Sequence, residues 1–214
     1  MGEHINLANR SDIHLKRRLW HLLCGVGFLL VYYFTNIELR YFGFLSVAIA
    51  FFGFILDFRR FKDPVLNEKL SRAFGHIMRS SEKMGFSGLP FYALGVALAI
   101  FLYREEIAVI SILYLVFADP IASVIGVHYG KDRLLPNKTL QGTVAAFATC
   151  LIVGVSYLIM SEINSANIII FAFFGAIIGA LSEMLGAFNI DDNLIIPVLS
   201  GAALTGLNSW LLIF

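Results

Sequence analysis

Two carboxylates stand inside long apolar runs: Asp119 in Phe117-Ala118-Asp119-Pro120-Ile121-Ala122, and Glu183 near the end of a later run. A charge placed inside a membrane costs about 2.5–3.5 kcal/mol on insertion scales, so each of these groups asks for a partner or a task. Pro120 removes a backbone donor and is expected to kink or break its helix beside Asp119, which suits a cation site. Pairing with an arginine on a neighbouring helix is the alternative for Asp119, and a structural hydrogen bond is the alternative for Glu183. A third acidic cluster, Asp191-Asp192-Asn193, precedes Pro197. Adjacent carboxylates repel, so a divalent cation between or beside them explains the pair. A polar turn with a helix cap explains the same residues equally well.

Cations and glycines complement these acids. Lys16-Arg17-Arg18 and His21 lie at the mouth of the first apolar run, where basic residues commonly fix topology or anchor to lipid. Gly126, Gly130-Lys131-Asp132-Arg133 and Pro136-Asn137-Lys138-Thr139-Leu140-Gln141-Gly142 follow Asp119. Glycines allow close backbone approach, and lysines in a short loop neutralise phosphate. The Walker A spacing is absent. Taken together, Asp119, Asp191 and Asp192 with Arg17, Arg18, Lys131 and Lys138 suit magnesium and a polyphosphate.

The elements that carry these residues belong in a bilayer. Of 214 residues, 58% are apolar and only 14% charged, with 20 phenylalanines and a mean hydropathy of +0.79. A soluble domain has about a quarter of its residues charged. The net charge of +1 removes any case for nucleic-acid binding by bulk basicity. Apolar runs near 19–35, 40–57, 89–103, 106–126, 142–160, 166–185 and 194–213 predict an all-α, polytopic bundle of about seven transmembrane helices. What is left over is too short for a second domain, so residues 1–214 read as one membrane domain. The first run follows a polar stretch and lacks a small-residue cleavage site, which argues against a cleaved signal peptide.

Fourteen of the 16 lysines and arginines fall in alternate loops, leaving only Arg40 and Arg104 for the other side. By the positive-inside rule the N-terminus and the functional loops are cytoplasmic, on the inner membrane in a bacterium. Within the basic loop 58–88, Leu66, Leu70, Phe74 and Met78 recur every four residues, which predicts an amphipathic helix. That helix either rests on anionic headgroups or covers a site at the interface. Gly85, Gly88 and Pro90 are expected to end it. Cys24 and Cys150 lie within spans, without metal-ligand spacing, and read as small hydrophobes.

At these residues the sequence resembles the group of membrane enzymes comprising dolichol kinase, phytol kinase and CTP-dependent diacylglycerol kinase. Arg17-Arg18-Leu19-Trp20-His21 is similar to the group's Arg-Lys-x-x-His. Arg79 to Glu82, with Gly88 and Tyr92, resembles its Arg-x-x-Glu and Gly-x-x-Tyr stretch. Asp119-Pro120-Ile121-Ala122, Gly126, Gly130-Lys131 and Lys138-Thr139-Leu140-Gln141-Gly142 resemble Gly-Asp-x-x-Ala-x3-Gly, Gly-Lys and Lys-Ser-x-Glu-Gly. Asp191-Asp192-Asn193, Pro197 and Ser200-Gly201 look like its Asp-Asp-Asn motif. Ala118 and Gln141 depart from the pattern, replacing Gly and Glu.

The resemblance implies transfer of the γ-phosphoryl group of CTP, with Mg2+, to the hydroxyl of a membrane lipid alcohol: a polyprenol, a phytol-like alcohol or diacylglycerol. It implies Asp119, Asp191 and Asp192 as metal ligands. Arg17, Arg18, Gly126, Gly130, Lys131, Lys138, Thr139 and Gly142 would lie around the nucleotide. Asp119, Lys138 and Glu183 would act in the chemistry, with His21, Arg79, Glu82 and Asn193 nearby. CDP-diacylglycerol synthases share the Lys-Thr-x-Glu-Gly string, so a cytidylyltransferase acting on a lipid phosphate is the alternative. A small transporter would use the same intramembrane carboxylates, but no inverted repeat is apparent and the polar groups gather at one face.

Overall fold

The computed structural model describes residues 8–35, 37–75, 77–78, 82, 84–163, 165–186 and 191–214, with side chains from Leu15 onward; Arg79 lies outside the described residues. The helices are α1 (Ala8–Phe34), α2 (Leu39–Lys62), α3 (Pro64–Phe74), α4 (Gly88–Leu102), α5 (Glu105–Leu113), α6 (Asp119–Tyr129), α7 (Leu140–Met160), α8 (Ile168–Leu185) and α9 (Asp192–Leu211). A π-helical turn, Tyr114–Ala118, joins α5 to α6. The strands β1 (Arg133–Leu135) and β2 (Lys138–Thr139) form one small antiparallel hairpin before α7. The protein is an all-α polytopic membrane protein. Among the described residues, five stretches are long and apolar enough to cross a bilayer: α2, the run from α5 through α6, α7, α8 and α9. The remaining two apolar segments fall on the second half of α1 and on the 15-residue α4.

Three local expectations change. α2 continues past residue 57 to Lys62, because Arg59, Arg60 and Lys62 sit favourably at the negative end of its dipole. The amphipathic helix starts sharply at Pro64, where the Asp63 side chain accepts from the backbone N–H groups of Val65 and Leu66 at 2.9 and 3.1 Å. It ends at Phe74, so Leu66, Leu70 and Phe74 lie on it and Met78 lies beyond. Finally, Pro120 does not break its span. Its ring and missing N–H fall where the helix widens into the π turn, which absorbs both and lets the helix run on to Tyr129.

Small residues set how closely the helices pack. The ring of Tyr114 is fully buried, and a Cβ on Gly179 would stand 2.8 Å from it and 2.5 Å from Cys150 Sγ. Pro197 cannot donate to the carbonyl four residues back, that of Asn193. α4 packs there: a Cβ on Gly95 would run into that carbonyl oxygen and stand 3.0 Å from the Pro197 ring. Outside the core, Phe51, Phe52, Ile169 and other large apolar side chains face outward, as lipid contact requires.

Charge fastens the chain between α3 and α4 onto the bundle. Arg60, 3% exposed, donates from Nε to Asp57 Oδ1 at 2.6 Å, from Nη1 to Asn67 Oδ1 at 3.1 Å and from Nη2 to the Glu82 carbonyl at 2.7 Å, with a further bond to the Gly85 carbonyl. The second Asp57 oxygen accepts from the Ser87 N–H at 2.8 Å and the Ser87 hydroxyl at 2.9 Å. Removing one partner of a buried pair strands the other charge, at a cost of about 3–5 kcal/mol. Arg60→Ala should therefore destabilise the protein by about that much, measured by thermal unfolding in micelles. The paired replacement Asp57→Leu with Arg60→Leu should recover part of the loss.

Candidate active site

The site is built around Lys138. The hairpin that carries it is closed by Gln141, whose carbonyl oxygen accepts from the N–H groups of Lys131 at 3.0 Å and Asp132 at 3.3 Å. Its amide then donates to Asp132 Oδ2 at 2.8 Å, a bond that an ionised Glu could not make. Thr139 caps α7, accepting from Gly142 N at 3.2 Å. The same side chain sits among three glycines at the crossing of α6 and α7. A Cβ would lie 3.0 Å from Thr139 Oγ1 at Gly126, 2.6 Å from Thr139 Cγ2 at Gly130, and 2.9 Å from the Ala122 carbonyl at Gly142. These glycines let the hairpin lie flat on α6, which drives Lys138 into the bundle.

There Lys138 Nζ donates to Glu183 Oε1 at 2.6 Å and to Asp192 Oδ2 at 3.3 Å. Burial by itself would lower the ammonium pKa, but Asp192, Glu183 and Asp119 outweigh it and hold the pKa above the ordinary lysine value. Lys138 is thus charged at neutral pH, facing three carboxylates. Glu183 is 2% exposed, and its Oε2 has no hydrogen-bond partner among the described residues. Asp119, half-buried at the start of α6, also makes no hydrogen bond among them and lies within electrostatic reach of Lys138, Glu183 and Tyr92.

The N-terminus of α9 joins this cluster to α1 and α4. Asp191 caps the helix, with Oδ1 accepting from Asn193 N at 3.0 Å and Asn193 Nδ2 at 2.5 Å. Asn193 Nδ2 also reaches the Gly88 carbonyl at 3.4 Å. A Cβ on Gly88 would lie 2.6 Å from the guanidinium of Arg17, which is paired with Glu82, and 3.1 Å from Asn193 Nδ2. His21 packs edge-on against Tyr92, with ring centroids 4.5 Å apart. A cavity of about 270 Å³ opens beside Arg17, His21, Tyr92 and Asn193. Asp192 itself abuts Gly186, where any Cβ would overlap its carboxylate.

The structure thus gathers Asp119, Lys138, Glu183, Asp191, Asp192, Asn193, Arg17, His21 and Glu82 at one end of the bundle. Gly126, Gly130, Thr139 and Gly142 form the joint beneath Lys138. Lys131 is exposed on the hairpin, and Arg18 is half-buried on α1. No three His, Cys, Asp or Glu side chains converge as metal ligands among the described residues. Mg2+ needs less, since it is commonly held by one or two carboxylates with substrate phosphates and water. Glu183 Oε2 and the surplus of carboxylate over ammonium fit such an ion. Sequence reasoning overlooked Asp57, Arg60 and Gly186. The i,i+3 pair Asp57-x-x-Arg60 at the end of a span was the available signal.

Residues 1–189 match the model of the cytidylyltransferase family. The chain belongs to that family. Among curated relatives, CTP-dependent diacylglycerol kinase 1 of Schizosaccharomyces pombe is 34% identical over 193 residues, covering 86% of this chain and 84% of that one. The enzyme of the same name from Saccharomyces cerevisiae is 30% identical over 207 residues, covering 87% and 70%. The one from Eremothecium gossypii is 28% identical, covering 89% and 70%. No solved structure matches the chain. For this cytidylyltransferase-family member, the overlap at Gly186 gives a sharp test of the geometry. Gly186→Ala must displace Asp192, and a misplacement of about 1 Å can cost on the order of 10²-fold in rate. Turnover should fall by about that much, with unchanged thermal unfolding, in a steady-state assay.

Proposed function

We propose that the protein transfers the γ-phosphoryl group of CTP to the hydroxyl of a membrane lipid alcohol, diacylglycerol first among the candidates. The observation that carries this reading is the buried Lys138, which holds Glu183 and Asp192 in place with Asp119 beside them, in a chain similar to CTP-dependent diacylglycerol kinases. Phosphoryl transfer needs positioning and charge more than covalent chemistry, and this cluster supplies both.

Asp119, Glu183 and Asp192 are the residues that would hold Mg2+, with Asp191 keeping the helix end rigid beside them. When bound, the ion would supply neutralisation of phosphate charge. Lys138, Arg18 and Lys131 meet the remaining phosphate charge. A carboxylate at the cluster, Asp119 or Glu183, accepts the proton as the lipid hydroxyl oxygen bonds to the γ phosphorus. The bond from that phosphorus to the bridging oxygen breaks, and CDP leaves. In nucleotidyl transfer, by contrast, a lipid phosphate attacks the α phosphorus and pyrophosphate leaves, so the product separates the two reactions.

That fourteen of the 16 lysines and arginines fall in alternate loops supports a site facing the cytoplasm, with the N-terminus on the same side. Cysteine-accessibility mapping should place residue 135 on the cytoplasmic side.

The decisive assay uses purified protein in micelles with γ-labelled CTP, Mg2+ and dioleoylglycerol. Label should appear in phosphatidic acid with CDP as co-product. Label released as pyrophosphate in the presence of a lipid phosphate would support nucleotidyl transfer instead. Asp119→Asn should insert normally and lose on the order of 10²–10³-fold in rate; near-normal turnover would remove Asp119 from the site.

A further inference from the structure

The cavity beside the carboxylate cluster has walls of a different character from the site it adjoins. Cys24 of α1, Leu56 of α2, Leu70 and Phe74 of α3 and Leu89 of α4 contribute to a largely apolar lining. Its charged residues cancel: Asp57 is paired with Arg60, and Arg17 with Glu82. It therefore offers no surplus cation for a triphosphate. Phe74 and Leu89, 49% and 55% exposed, bring it out to the surface of the bundle at the level where α3 lies. α3 buries no residue of its own and is held across the cavity by the Arg60–Asn67 bond of 3.1 Å. At its inner end stand Arg17, Tyr92 and Asn193, and Asn193 adjoins Asp192.

We propose that this cavity is the acceptor-lipid site, with α3 as its cover and the reacting hydroxyl held at the Arg17–Asn193 end; the proposal rests on the phosphotransfer reading above. The 270 Å³ volume is near the small end of the range of about 300–1,000 Å³ in which ligands sit. It takes the glycerol backbone and first tail carbons of diacylglycerol and leaves the rest of each tail to the bilayer. Entry is lateral, from the membrane beneath α3, whereas CTP approaches from water on the Lys131 and Lys138 side.

The two cysteines provide a direct test, because Cys24 is exposed and lines the cavity while Cys150 is buried. Purified protein in micelles is labelled with a maleimide, with Cys24→Ala as the control that removes the signal. Dioctanoylglycerol at ten times its Kd should slow labelling roughly tenfold, and CTP with Mg2+ should not. In the same preparation, Leu56→Trp and Leu70→Trp should raise the KM for diacylglycerol about tenfold without raising that for CTP. Protection by CTP, or no protection by lipid in a wild-type protein that phosphorylates diacylglycerol, overturns the assignment. A wild-type protein that phosphorylates no lipid alcohol overturns the phosphotransfer reading instead. Should the tryptophan variants fail to fold, the labelling of the wild-type chain decides.

Discussion

One buried ammonium among three carboxylates sets the terms for this molecule. Lys138 is held by Glu183 of α8 and Asp192 of α9, with Asp119 of α6 near enough to share its field. Taking such charges out of water is costly, and the attraction between them offsets that only when geometry is good and few polar atoms are left over. Among the described residues Glu183 Oε2 is left over, and the cluster carries more negative than positive charge. An arrangement under-neutralised by the protein itself is suited to a site completed by a cation and by groups that arrive with it.

Much of the rest of the bundle serves to bring these groups together. Lys138 reaches Glu183 only because its hairpin lies close on α6, which Gly126, Gly130 and Gly142 permit around Thr139. Asp119 keeps its place in a continuous helix because the π turn before it takes up the distortion that Pro120 imposes. Asp192 fits because Gly186 has no Cβ, and α4 reaches the start of α9 because Gly95 has none. In a bundle where lipid is as apolar as the helix faces, close packing at small residues replaces the hydrophobic drive between helices.

A second ion pair does a different task. Asp57 and Arg60 lie at the end of α2, and their bonds run to backbone carbonyls, to Ser87 and to Asn67 of α3. Both are consumed by structure, which distinguishes them from the Lys138 cluster. They fix the entry to α4, and through Gly88 they fix the relation of Arg17 to Asn193. The cavity under α3 is lined in part by Asp57 and Arg60 and extends to Asn193, the chain neighbour of Asp192.

Composition and the spacing of apolar runs determined that this chain belongs in a bilayer, where its helices lie, and which charged residues are out of place in them. Those are local properties, since hydropathy is read along one segment at a time. The acidic and basic residues at the bundle end were legible for the same reason, and Asp119, Lys138, Glu183 and the Asp191–Asn193 turn were all visible as candidates. Their partners were not. That the glycines after Asp119 pack around Thr139 emerged only with the crossing of α6 and α7, and Arg60 read as one topology charge among several until Asp57 and the turn before α4 closed on it. Sequence fixes how much charge each helix end carries, but an ion pair between ends far apart in the chain exists only once packing has decided which ends meet.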